Sequence, residues 1–304
     1  MADDVLGLYW TTSGPVDVHY GREWSLFDLR DRCEHAARVG FSGIGLWHAD
    51  LEHVLETRTL AEVAALFDEY GLRHLELEFL WEWFIEPGDE RRAQSDELRA
   101  RLWAAAAALP AHHVKVGNIP GTPCDLARLT EAYGELCADA AEHHDAKVVY
   151  EFMPPDVNVQ DLETALAIVE GADAPNGGLA IDTWHMSKLG IAPDDLRSVP
   201  ARRLGWVELS DGHYRNMPDP VDETINHREL PGEGEFPIRE YVAAVRDAGY
   251  AEPWGVEVPL AGPPRAADRR DLRPRGRDHP RAARLTKPSS PGRTCAPPPR
   301  TARG

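Results

Sequence analysis

Short apolar runs rich in β-branched and aromatic residues recur along this chain, each followed by a stretch with apolar positions at helical spacing. Runs of the first kind read as strands buried on both faces, and the stretches between them as helices laid over those strands. Eight strands are expected, at Val5–Thr12, Gly43–Leu51, Arg73–Phe84, His113–Ile119, Lys147–Met153, Gly178–Asp182, Leu204–Leu209 and Pro253–Pro259. Helices are expected at Ser25–Val39, Thr59–Tyr70, Asp89–Leu109, Cys124–His144, Val159–Gly171, Pro193–Arg203 and Pro237–Gly249. Gly71 is placed to cap the second helix and Asn158 to open the fifth. Pro193 sits where a first helical turn tolerates proline. A rhythm of roughly thirty residues per strand–helix unit predicts an α/β fold, a (β/α)8 TIM barrel. A doubly wound open sheet is the competing architecture. No Gly-x-Gly-x-x-Gly follows the first strand, which argues against it and against a dinucleotide site.

The pattern breaks after Leu260. Residues 1–260 are expected to form the barrel and residues 261–304 a basic, Pro/Arg-rich disordered tail in place of the eighth helix. The tail holds twelve Lys and Arg against three Asp, hence +9; of a total of −18, the body carries −27. So abrupt a change suggests a shifted reading frame or an artificial end. It would leave apolar surface open beside the first and last strands. A body this acidic argues against a nucleic-acid partner. No run of about 20 apolar residues exists to cross a membrane, and Met1–Val5 has no secretory character. Four scattered cysteines, Cys33, Cys124, Cys137 and Cys295, fit reduced thiols in a cytoplasmic protein.

Candidate chemistry lies where the later strands end. The runs Val148–Phe152, Leu179–His185, Trp206–Asp211 and Trp254–Val258 carry Glu151, Asp182, Glu208 and Glu257 at or near their ends. In a parallel barrel the C-terminal strand ends converge on one rim. Four carboxylates gathered there repel one another unless a cation lies between them, so a divalent metal site is expected. An all-carboxylate shell favours Mg2+ or Mn2+, with Co2+ or Zn2+ as the less suited ions. Lys115, inside the fourth strand, is expected either to face the barrel mouth and meet a substrate oxygen or to pair with Glu76 or Glu78. Arg228 could offer an anion-binding fork. Trp10, with Trp47 and Trp81, could form an apolar wall against a sugar face. His213 is a further candidate ligand, and Asp211 a candidate to orient a neighbour or to form a turn before Gly212.

Together, Tyr150-Glu-Phe-Met-Pro154, Pro175-Asn-Gly-Gly-Leu-Ala-Ile-Asp-Thr-Trp-His185, Val207-Glu-Leu-Ser-Asp-Gly212 and Leu230-Pro-Gly-Glu-Gly-Glu-Phe236 resemble the sugar phosphate isomerase/epimerase family of xylose isomerase-like barrels. The likeness covers about residues 5–260. It implies metal ligands from strands five to eight, which map to Glu151, Asp182, Glu208 and Glu257; the family usually has His or Gln where this chain has Glu208. It also implies Glu151 and Glu257 as the acid/base pair and His185 as a substrate contact. The implied reaction is metal-dependent isomerisation or epimerisation of a small sugar or keto-polyol through an enediolate.

Two alternatives share the fold. One is a dehydratase of a cyclic keto-polyol, of inosose or 3-dehydroshikimate type, in which the same enediolate expels a β-hydroxyl. The other is an inactive barrel that only binds. A nuclease of this fold would use a His-rich, multi-zinc site and a basic face, unlike this chain. The acidic loop Pro231-Gly-Glu-Gly-Glu235 points to a non-phosphorylated substrate. The sequence does not reveal the oligomeric state; a homodimer is one option.

Overall fold

A computed structural model describes residues 4–16 and 21–259. Eight parallel strands close into a barrel: β1 (Val5–Gly7), β2 (Gly43–Trp47), β3 (His74–Leu80), β4 (Ala111–Gly117), β5 (Lys147–Glu151), β6 (Gly177–Asp182), β7 (Leu204–Leu209) and β8 (Trp254–Val256). Neighbours in sequence are neighbours in the sheet, and β8 closes on β1 with Leu6 opposite Gly255. This is the (β/α)8 architecture expected. The proposed tail lies outside the described residues, as does Cys295.

Helices follow the strands: α1 (Tyr9–Thr12), α2 (Leu29–Val39), α3 (His48–Leu55), α4 (Leu60–Tyr70), α5 (Glu90–Ala108), α6 (Leu126–His143), α7 (Leu162–Ala172), α8 (Thr183–Leu189), α9 (Pro220–Asn226) and α10 (Ile238–Asp247). Their ends obey local chemistry. Thr59 and Glu62 form a reciprocal capping box at the start of α4, and Gly71 ends that helix with φ 66°. None of these helices is long and apolar enough to cross a membrane.

Several boundaries differ from expectation for identifiable reasons. The apolar runs Val5–Thr12 and Gly43–Leu51 are only half strand: β1 stops at Gly7 and β2 at Trp47, and the chain turns at once into α1 and α3. Aromatic residues there pack above the strand ends, not along them, so apolar character outlasts the strand. Trp10 is consequently a helical residue. Asn158 does not cap α7. Asp161 does, accepting from the Thr164 N–H at 2.8 Å, while Asn158 accepts from the Cys124 N–H and donates to the Thr122 carbonyl. The segment Pro193–Arg203 forms two 3-10 turns instead of an α-helix.

The main core lies between the strands and helices, but a smaller one fills the barrel. Leu6, Leu8, Val149, Ala180 and Trp206 are all fully buried and pack together. Trp206 is the bulk of this plug. It fits because Gly255 has no side chain: a Cβ there would lie 2.9 Å from the indole. Above and beside the plug, the inward positions are charged, and this polar layer forms the floor of the site.

Candidate active site

The strand period of two selects which residues point inward. On β3 these are Glu76 and Glu78, on β4 His113 and Lys115, on β5 Glu151, on β6 Asp182 and on β7 Glu208. Each is 2% exposed or less. Glu257 follows β8 directly and is 4% exposed. Register puts Asp182 beside Glu208 and Glu208 beside Gly255. As a result Glu151, Asp182, Glu208 and Glu257 each bring an oxygen to within 4.8 Å of the others. Glu151, Asp182 and His185 form a second such group, sharing two members.

Two cations are threaded through this cluster. Lys115 Nζ lies 2.7 Å from Glu208 Oε1, 3.1 Å from Glu257 Oε1 and 3.1 Å from Glu78 Oε2; Glu151 and Glu76 follow at 3.6 and 3.8 Å. Of the alternatives expected for Lys115, pairing with Glu78 and Glu76 is present, and the same ammonium also faces the rim carboxylates. Arg228 reaches in from the loop after α9. Its Nη1 donates to Asp182 Oδ2 and Glu257 Oε2, both at 2.8 Å, and its guanidinium lies over the Trp184 ring at 5.3 Å. The fork thus grips protein carboxylates, and Thr224 holds it from behind through its carbonyl and hydroxyl oxygens.

His185 comes from α8, which begins where β6 ends. Asp182 caps this helix by accepting from the Trp184 N–H at 2.8 Å. One turn later, His185 Nε2 sits 3.3 Å from Asp182 Oδ2 and 3.6 Å from Glu151 Oε1. Burial depresses its basicity to about 4 against the pull of Asp182, so its ring is neutral near pH 7.

The acids are not equivalent. Burial opposes ionisation of Asp182, but Arg228, His185 and the Trp184 N–H outweigh it and hold the carboxyl at about 2. Burial raises Glu151 to about 8; Lys115 resists this, while Glu257 and Asp182 add to it. Burial likewise raises Glu208 and Glu78, with neighbouring acids adding to the effect. Burial works against the charge on Lys115, yet the surrounding carboxylates keep it protonated far above its ordinary value. Two cations cannot balance six acids, so protons or a further cation must share the cluster.

Buried oxygens without partners mark where such a cation fits. Among the described residues, Glu151 Oε1 and Glu208 Oε2 are buried and accept no hydrogen bond. Leaving such atoms unpaired costs about 1–3 kcal/mol each. An oxygen-only set of this kind suits a hard divalent ion, and His185 could add a nitrogen that zinc would favour.

A pH dependence follows from these shifts. Glu151, raised from 4.5 to about 8, contributes stability present at low pH and lost as pH rises through 8. His185, lowered from 6.5 to about 4, acts in the opposite sense, but only below 6.5. Chelator-treated protein is therefore expected to lose stability between pH 6.5 and 8, on the order of 2 kcal/mol or about 5 °C in Tm. Excess Mn2+ should flatten the dependence by taking the proton's place. A Tm that stays level or rises across that window in chelator would contradict this picture.

Other candidates sit elsewhere. Trp10, half-buried, packs edge-on against Tyr9 and at a tilt against Trp47 in a cluster that also holds Phe79, Trp81 and Met153. These residues come from the C-terminal ends of β1, β2, β3 and β5, so the wall is on the same rim as the acids. His213 is no part of the acidic groups: it is exposed and faces Glu235 at 3.4 Å. Asp211 fixes a loop. Its carboxylate accepts from the N–H groups of Gly212, Gly232 and Phe236, and its backbone pairs with Glu229. Sequence reasoning overlooked His113, which bonds Glu76 at 2.8 Å beneath Lys115 and packs at a tilt against Trp206. The signal was its alternation with Lys115 on one strand.

Comparison with known proteins agrees with this architecture. The chain is 26% identical over 232 residues to a 3-dehydroshikimate dehydratase of Pseudomonas aeruginosa, covering 76% of this chain and 36% of the relative. It is 25% identical over 122 residues to an inosose isomerase of Bacillus subtilis, covering 40% of this chain and 43% of the relative. The chain thus spans less than half the length of both curated relatives. Among solved structures, the IolI protein with a bound zinc atom superposes with a TM-score of 0.69 at 18% identity, over 85% of this chain and 89% of that one. A family model described as the xylose isomerase-like TIM barrel matches residues 33–278, so the chain belongs to the xylose isomerase-like TIM barrel family.

Proposed function

We propose that this protein is a divalent-metal-dependent isomerase or epimerase of a small sugar or keto-polyol, working through an enediolate. One observation carries the reading: oxygens from four consecutive strands, β5 to β8, lie within 4.8 Å of one another, with Glu151 Oε1 and Glu208 Oε2 left unpaired. Glu151, Asp182, Glu208 and Glu257 would hold the ion, with Mn2+ or Mg2+ best suited to the oxygen donors. A bound divalent ion would polarise the substrate carbonyl and stabilise the negative charge that develops on its oxygen.

The chain's own residues do the rest. Glu151, at the end of β5 with one oxygen free of hydrogen bonds among the described residues, takes the proton from the carbon beside the carbonyl. Glu257, three strands round the rim, returns one to the neighbouring carbon or to the opposite face. Arg228 fixes Glu257 relative to Asp182. Neutral His185 donates to or accepts from a substrate hydroxyl, and the aromatic wall around Trp10 and Trp47 keeps water off the sugar face. The bound substrate is a small polyhydroxylated ketone.

A second reading, dehydration, is supported by the likeness to the Pseudomonas aeruginosa 3-dehydroshikimate dehydratase. There the enediolate expels a β-hydroxyl, leaving an unsaturated product that absorbs in the ultraviolet.

Metal content decides first. Protein purified without chelator, analysed by mass spectrometry, should carry about one divalent ion per chain, and Glu151→Gln and Asp182→Asn should each lose it. Wild-type protein that stays empty after Mn2+ is added back would overturn both readings.

A further inference from the structure

We propose that Lys115 is a built-in counter-charge that holds the Glu208 carboxylate in place before a metal arrives, the two acting as one neutral unit that presents a single oxygen and whose lysine opposes the incoming ion. This rests on the metal-site reading given above. Lys115 and Glu208 side chains are 2% and 0% exposed. Glu208 Oε1 accepts from Lys115 Nζ at 2.7 Å and from Trp206 Nε1 at 2.9 Å. Two donors on one oxygen fix the carboxylate plane and leave Oε2 unpaired among the described residues. Trp206 is itself locked in the barrel plug, so the orientation of Glu208 is set by packing.

The charge argument is as direct. Glu151, Asp182, Glu208 and Glu257 together bear four negative charges around an ion that brings two. Arg228 pairs with Asp182 and Glu257. Lys115 lies closest to Glu208 and is held there from below by Glu76 and Glu78. With both cations counted, the four rim acids and a divalent ion balance, and the two acids beneath them, Glu76 and Glu78, are left for protons to offset. Without Lys115, an uncompensated charge stays buried, which is strongly destabilising.

The test is a double-substitution cycle on the full chain: wild type, Lys115→Met, Glu208→Gln and the pair together. Lys115→Gln, which keeps a hydrogen-bond donor but no charge, is a second route should Lys115→Met fail to fold. Thermal stability after chelation and Mn2+ affinity by calorimetry are read at pH 8. Lys115→Met should melt at least 8 °C lower and bind Mn2+ at least tenfold more tightly, since a like charge has left the site. Adding Glu208→Gln should return both values to within about 3 °C and threefold of wild type. If Lys115→Met and Lys115→Gln match wild type in both readouts, or if the pair is no better than the lysine change alone, the proposal is wrong. Wild type that binds no Mn2+ overturns the metal reading and this proposal with it. Wild type that binds normally without rescue in the pair overturns this proposal alone.

Discussion

Replacing Glu151 with Gln is expected to lower turnover about a thousandfold on whichever keto-polyol the wild type converts. Loss of a positioned base costs typically 10²–10⁴ in rate, and this residue would also surrender a metal-ligand oxygen. The effect should not be traceable to misfolding. Glu151 is pushed up to about 8, so much of it carries a proton at neutral pH and a neutral amide resembles that form. Chelator-treated Glu151→Gln should therefore melt no lower than wild type at pH 8, where the native carboxylate is partly ionised among its neighbours. The measurement is exchange of the substrate's carbon-bound proton in deuterated water, followed by nuclear magnetic resonance. A variant that exchanges within fivefold of wild type would remove Glu151 from the reaction. Glu257→Gln, by contrast, should permit exchange from one position while blocking product formation.

Trp206→Ala should be the most destabilising single change in the barrel interior. The indole is fully buried against Leu6, Leu8, Val149 and Ala180 and also donates to Glu208. Truncations of buried aromatics cost about 3–5 kcal/mol, because the cavity collapses only partly. Strands crowded around Gly178, Gly205 and Gly255 have little slack with which to fill it. For a domain of this size that amounts to roughly 10 °C in Tm. Trp206→Phe keeps most of the packing and loses the N–H donor, so about 1–2 kcal/mol is expected. A loss under 3 °C for the alanine variant would mean that the plug is not what holds the barrel.

The ligand candidates were legible because an apolar run that terminates in a carboxylate is unusual, and four of them recurred in order. The polar layer beneath was harder to see. Pairing of Lys115 with Glu76 or Glu78 was open to view in the sequence, but His113 was passed over, and β3 and β4 place Glu76, Glu78, His113 and Lys115 together on the inner face. Their charges satisfy one another across strands far apart in sequence, as Lys115 and Glu208 do over 93 residues. No local pattern encodes such a pairing. Strand ends at Thr12 and Leu51 were overextended because Tyr9, Trp10 and Trp47 continue the apolar signal into helices that start without a break. His213 misled for the opposite reason: a histidine two residues from a rim aspartate is close along the chain, but its side chain turns to solvent.

The clasp made by Asp211 has a practical meaning for protein engineering. One carboxylate secures the backbone at Gly212, Gly232 and Phe236, so both ends of the long loop after β7 are pinned to the same residue. Between these pins the segment has further ties: Lys188 donates to the His213 carbonyl and to Glu223, and Arg228 grips Asp182 and Glu257. The segment from 213 to 231 is therefore a natural cassette: with Glu223 and Arg228 kept for their buried ion pairs, the rest of its side chains can be randomised or exchanged with those of related barrels. With Asp211 retained, the barrel beneath should keep its register while substrate preference is selected anew.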